Sequence, residues 1–113
     1  MIKKITNQEI VNLLNSILAL ASVELPVRVT YALKKNHRKL VTEYKDYEAQ
    51  LDEIREKYPK LDDDENFNQA VKELLSLENE IDIYTIDESI FESGDFKITA
   101  AQLETLEFMI EIN

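Results

Sequence analysis

A chain of 113 residues with 44% hydrophobic and 32% charged side chains holds enough apolar material for one modest core, and too much to remain disordered. Cysteine is absent, which excludes disulfides and thiolate metal sites, and a lone histidine argues against a zinc centre. The net charge of −10 is lopsided: residues 1–60 carry eleven Lys/Arg against eight Asp/Glu, and residues 61–113 carry two Lys against fifteen Asp/Glu.

One domain spanning 1–113 is expected. With one Gly and two Pro, helix is favoured over turn-rich architectures. The acidic half disfavours direct binding to nucleic acid or anionic lipid. It suits a protein partner with a basic surface, including one that normally holds nucleic acid. Its commoner role is solubility. No run approaches about 18 uninterrupted apolar residues, so no membrane span is expected.

The first helix starts at a capping box, Thr6 with Glu9, flanked by the staple pair Ile5 and Ile10. Ile10, Leu13, Leu14, Ile17 and Ala21 give its inward face, which Leu18, Leu20 and Val23 widen. Lys3, Lys4 and the following apolar run mimic a secretory signal. Glu9, Asn12, Asn15 and Ser16 interrupt the run at amphipathic spacing, which argues against one. Leu25-Pro26 ends this helix, and Pro26 suits the opening of the next.

The second helix is predicted over 27–58, about 48 Å long. Leu33, His37, Leu40, Tyr44, Tyr47, Leu51, Ile54 and Tyr58 follow one another at steps of four and three, a heptad seam. Pro59 stops it. Asp62, Asp63, Asp64 and Glu65 cap a third helix predicted over 66–79, with Phe67, Val71, Leu74 and Leu77 on one face. The short link makes helices two and three an antiparallel hairpin. From Ile81 the period changes to two through Ile83, and Tyr84 and Ile86 follow. Ser93-Gly94-Asp95 then reads as a turn into Phe96 and Ile98, closing a small ribbon. A fourth helix opens on a second box, Thr99 with Gln102, and buries Leu103, Leu106, Met109 and Ile110. The expected fold is mostly α: four helices around a long second helix, with a short β arm or ribbon before the last.

Motifs that carry chemistry are scarce. His37 sits on the seam, where a packed, hydrogen-bonded histidine is commoner than a proton switch. Asp62, Asp64, Asn66, Asn68 and Glu73 match calcium-loop spacing, but Phe67 occupies the position that needs glycine. Lys34, Lys35, Arg38 and Lys39 form the one basic cluster, without the Gly-rich loop or aromatic platform of a nucleic-acid site; such a patch more often solvates a helix or pairs with acidic residues, here those of the C-terminal half. Tyr44 and Tyr47 suit core packing with hydroxyls at the edge. Left uncovered, their seam would serve a homodimer through the long helix. No nucleophile elbow or patterned carboxylate pair indicates catalysis, and no cofactor is implied.

The segment Leu25-Pro26-Val27-Arg28-Val29-Thr30-Tyr31-Ala32-Leu33-Lys34-Lys35-Asn36 resembles one in small, uncharacterised proteins of tailed phages and prophages of Gram-positive bacteria. So does the ending, with Ile81-Asp82-Ile83, Leu103 and Leu106-Glu107-Phe108-Met109-Ile110. The resemblance runs over nearly the whole chain, although the connection after Pro59 is shorter here. It implies a phage origin and a cytoplasmic site of action in a bacterial host cell, and it carries no catalytic residues. The expected function is a non-enzymatic binding protein acting on a host or phage protein, such as a host-defence protein that it inhibits. Its acidic surface would centre on Asp82, Asp87, Glu88 and Glu92, with Lys34, Lys35, Arg38, Lys39, Tyr44 and Tyr47 as further candidate contacts. The alternative is a virion structural or assembly accessory that self-associates.

Overall fold

The computed structural model describes residues 1–58, 65–92 and 97–111. The fold is mostly helical, organised along a long second helix, with small strands before the last helix. Helices α1 (Asn7–Leu18), α2 (Val27–Lys57), α3 (Glu65–Ser76) and α4 (Ala100–Leu106) are joined by strands β1 (Ile2–Thr6), β2 (Glu78–Asp82), β3 (Ile86–Asp87) and β4 (Ile110–Glu111).

Strand β1 was not expected. It pairs antiparallel with β2, Ile2 opposite Asp82 and Thr6 opposite Glu78. Thr6 ends the strand and caps α1 at once. Its extended backbone (φ −72°, ψ 159°) suits both roles, and the Thr6–Glu9 capping box is formed. The staple partners Ile5 and Ile10 are both buried. The pairing also corrects the ribbon: β2 takes β1 as partner, and β3 runs parallel to β4. Ile98 lies in the irregular lead into α4, while Gly94 and Phe96 fall outside the described residues. A two-residue β3 carries no period-2 signal of its own, and its partner sits 24 residues downstream.

Three helix ends also move, the first being that of α1, which stops at Leu18 and not at Leu25. α3 stops at Ser76, not Asn79, because Asn7 at the start of α1 takes over its C-terminus. The Asn7 side-chain amide donates to Leu74 O (2.7 Å), and its backbone amide donates to Leu77 O (3.0 Å). These bonds satisfy carbonyls that a helix end leaves open. Asn79, now in β2, donates to Asn7 Oδ1 (2.9 Å) and Ile5 O (3.1 Å). α4 ends at Leu106, a 3-10 turn follows over Glu107–Met109, and Ile110 enters β4. α2 begins at Val27 as predicted, with Pro26 as its N-cap, and Tyr58 caps its end.

The core gathers Ile5, Ile10, Ile17 and Leu20 with Val29, Ala32 and Leu40, then Ile81, Ile83, Ile86, Leu106 and Met109. Leu18, expected inside, is 70% exposed. On α2 the buried stripe is Val29, Ala32, Asn36 and Leu40. It is rotated from the predicted heptad seam, of which Leu40 alone is buried, with the other seven positions half-buried. The reason is that α2 is contacted by α1, α3, β2, β3 and the last 3-10 turn on different arcs along its length. No single partner runs its full 31 residues, so no single seam is selected.

Asn36 is the buried polar centre of this arrangement. Its Oδ1 accepts from Tyr84 N (2.7 Å), and its Nδ2 donates to Tyr84 O (2.8 Å) and approaches Met109 Sδ (3.5 Å). The amide thus mimics a strand neighbour for one residue, fixing the link between β2 and β3 to the middle of α2.

Candidate interaction surface

The alternating pleat of β2 sends Ile81 inward and Glu78, Glu80 and Asp82 outward. Successive outward carboxylates therefore stand about 7 Å apart along the strand. All three residues are exposed. Across the ribbon, Glu80 faces Lys4 and Glu78 faces Thr6. Asp82 binds the N-terminal ammonium (3.1 Å), which with help from Lys39 holds its carboxyl below the usual carboxylate range.

The acidic line continues beyond the link. Asp87 in β3 is exposed and accepts a hydrogen bond from Ser89 N (2.9 Å), capping the 3-10 turn Glu88–Glu92. Its register partner in β4 is Glu111. Glu92 is exposed and Glu88 half-buried. Residues 78–92 thus form an acidic margin on one continuous arm. Glu78, Glu80 and Glu92 make no ion pair with any described residue. Glu78 and Glu80 were missed because the third helix was extended through Asn79 and the strand was started only at Ile81. The spacing Glu-x-Glu-x-Asp ahead of Ile83 was the available signal.

The basic cluster divides. Lys35 Nζ stands 4.9 Å from the ring centroids of both Tyr31 and Tyr84, which meet edge to face at 5.8 Å. Lys39 Nζ donates to the backbone carbonyl of Asp82. Both cations therefore help hold the arm against α2. Lys34 and Arg38 remain exposed, and with His37 they border a groove between α1 and α2. Cluster and acidic arm do meet, through a backbone carbonyl, aromatic rings and the field of Lys39 on the Asp82 carboxyl.

Tyr44 and Tyr47 are half-buried, their rings 5.8 Å apart, and Tyr44 packs on the core. Further along, Ile54 and Tyr58 approach Ala70, so α3 covers part of the seam as a hairpin. Burial, then Tyr44, push the Tyr47 hydroxyl pKa up, with Arg55 opposing. A phenol with a raised folded-state pKa contributes its stability below the unfolded value near 10 and loses it as pH rises through the folded one. In an alkaline titration, one of the five tyrosines should therefore ionise late, and Y47F should remove that late phase.

Among the described residues no group of three His, Cys, Asp or Glu side chains is arranged to hold a metal ion. Asp62 and Asp64 of the calcium-like spacing lie outside the described residues, while Asn66, Asn68 and Glu73 are built into α3. No helix among the described residues is long and apolar enough to cross a membrane. Comparison with protein-family models, curated proteins and solved structures finds no match.

Proposed function

We propose that the chain is a non-enzymatic binding protein of phage type, which acts in the bacterial host cytoplasm by docking its acidic arm on a basic protein surface. The carrying observation is the outward row Glu78, Glu80 and Asp82, continued by Asp87, Glu92 and Glu111 on neighbouring backbone. A row of carboxylates about 7 Å apart on a pleated strand suits a surface that receives a regular line of negative charge. A host protein that handles nucleic acid, including a defence protein, has such a surface. The resemblance to small proteins of tailed phages and prophages suggests this choice of partner class.

The proposal predicts a salt-sensitive complex. Tagged protein should retain a basic partner from host lysate at low salt and release it as salt rises. A triple charge reversal, E78K with E80K and E92K, should weaken capture at least about tenfold while the fold is unchanged, because all three side chains are exposed. Finding no partner at low salt, or equal capture by the triple variant, would overturn it. The second reading, a virion accessory, is favoured by the open groove between α1 and α2. Mass spectrometry of purified particles separates the two, since an inhibitor should be absent from them.

A further inference from the structure

Two depressions, of about 580 and 400 Å³, lie along α1 and α2 and share Leu18 and His37. Together they make one groove. Its apolar wall is Leu14 and Leu18 of α1, with Leu33, Val41 and Tyr44 of α2. Leu18 is 70% exposed at its middle. The polar positions of α2 that line it are Thr30, Lys34, His37, Arg38, Lys45 and Glu48. None of these side chains has a hydrogen bond or ion pair among the described residues.

We infer that the occupant of this groove is a second copy of the chain, with the two α2 helices antiparallel and crossing at Val41. The argument is charge register. On α2, helical spacing puts Thr30, Lys34, His37, Val41 and Glu48 on one stripe, at steps of four, three, four and seven. An antiparallel pair centred on Val41 sets Lys34 of each copy against Glu48 of the other, so two opposite-charge pairs form by one symmetry operation. Val41 meets its own equivalent on the axis, and Leu18 from each α1 closes the sides. The product is a four-helix arrangement built from two α1–α2 pairs. An unrelated helix would need apolar and charged groups in that same order, which α2 itself already presents. This stripe shares only His37 with the heptad seam predicted for self-association, and its centre lies about a quarter turn away.

This association is independent of the acidic arm, and purified protein alone tests it. Light scattering over a wide concentration range should give a dimer that dissociates on dilution. K34E should weaken it at least about tenfold, and K34E combined with E48K should restore it, because like charges then become opposite again. Both residues are exposed, so neither change threatens the fold. The chain has no cysteine, so V41C supplies a unique thiol on the proposed axis. Under mild oxidation V41C should cross-link to a dimer much faster than D46C, which lies on the opposite side of α2. A protein that stays monomeric at all concentrations overturns the inference, and so does equal cross-linking of the two variants. A dimer insensitive to K34E places the interface elsewhere and also overturns it.

Discussion

Replacing Asn36 with alanine should cost on the order of 3 kcal/mol of folding stability, well above the typical point substitution. The residue is fully buried on α2, and its amide is bonded to both the N–H and the C=O of Tyr84. Alanine removes both bonds, leaves two backbone groups wanting partners in a part-buried setting, and opens a small void. N36D should be no better. It keeps an acceptor for Tyr84 N, yet it sets a carboxylate oxygen against Tyr84 O and desolvates a charge. The loss should be local before it is global. The amide of Tyr84 should exchange quickly in N36A, and the β3–β4 pairing should weaken, because the link that positions β3 has come free of α2. Denaturant unfolding checks the magnitude, and a loss under about 1 kcal/mol would falsify the view of Asn36 as the pin of the arm.

Leu40 and Leu51 give the second test. On the heptad reading they are equivalent seam positions, and their truncation should cost alike. In the fold they differ: Leu40 is fully buried in the core cluster, and Leu51 is half-buried on the stretch of α2 beyond α1. L40A should therefore cost about 3 kcal/mol, including a cavity term, while L51A should cost about 1 kcal/mol. In a domain of this size the gap corresponds to a difference in Tm of roughly 10 °C. Equal losses would mean that the seam is buried along its whole length, either by α3 or by a partner.

Capping chemistry was the most legible part of the fold. Both boxes, Thr6 with Glu9 and Thr99 with Gln102, form as the residues dictate. They are local: four residues and their own backbone suffice. The long helix was legible for a related reason, since its start at Pro26 and its stop before Pro59 are covalent properties of proline. The strands were not. Ile2–Thr6 has no turn beside it to reveal a partner, and its partner lies more than seventy residues away. The candidate site was half legible. Asp82, Asp87 and Glu92 were chosen on charge, but Glu78 and Glu80 join them only because β2 begins at Glu78, three residues before the expected change of period at Ile81. Lys35 and Lys39 were read as solvating the helix or pairing with the acidic half, and the fold uses both to hold the arm.

By itself the sequence determined a mostly helical chain, a long central rod starting at Val27 and a concentration of negative charge towards the chain's end. These follow from terms that act within a few residues: helix propensity, caps, proline and composition. Tertiary structure alone decided which arc of the rod faces inward. The heptad spacing allows several faces, and the choice falls to Val29, Ala32, Asn36 and Leu40 because α1, the β2–β3 link and the 3-10 turn after α4 converge there. That convergence rests on contacts between residues far apart in sequence, such as Asn36 with Tyr84 and Met109. Their geometry has no local signature for a pattern to carry.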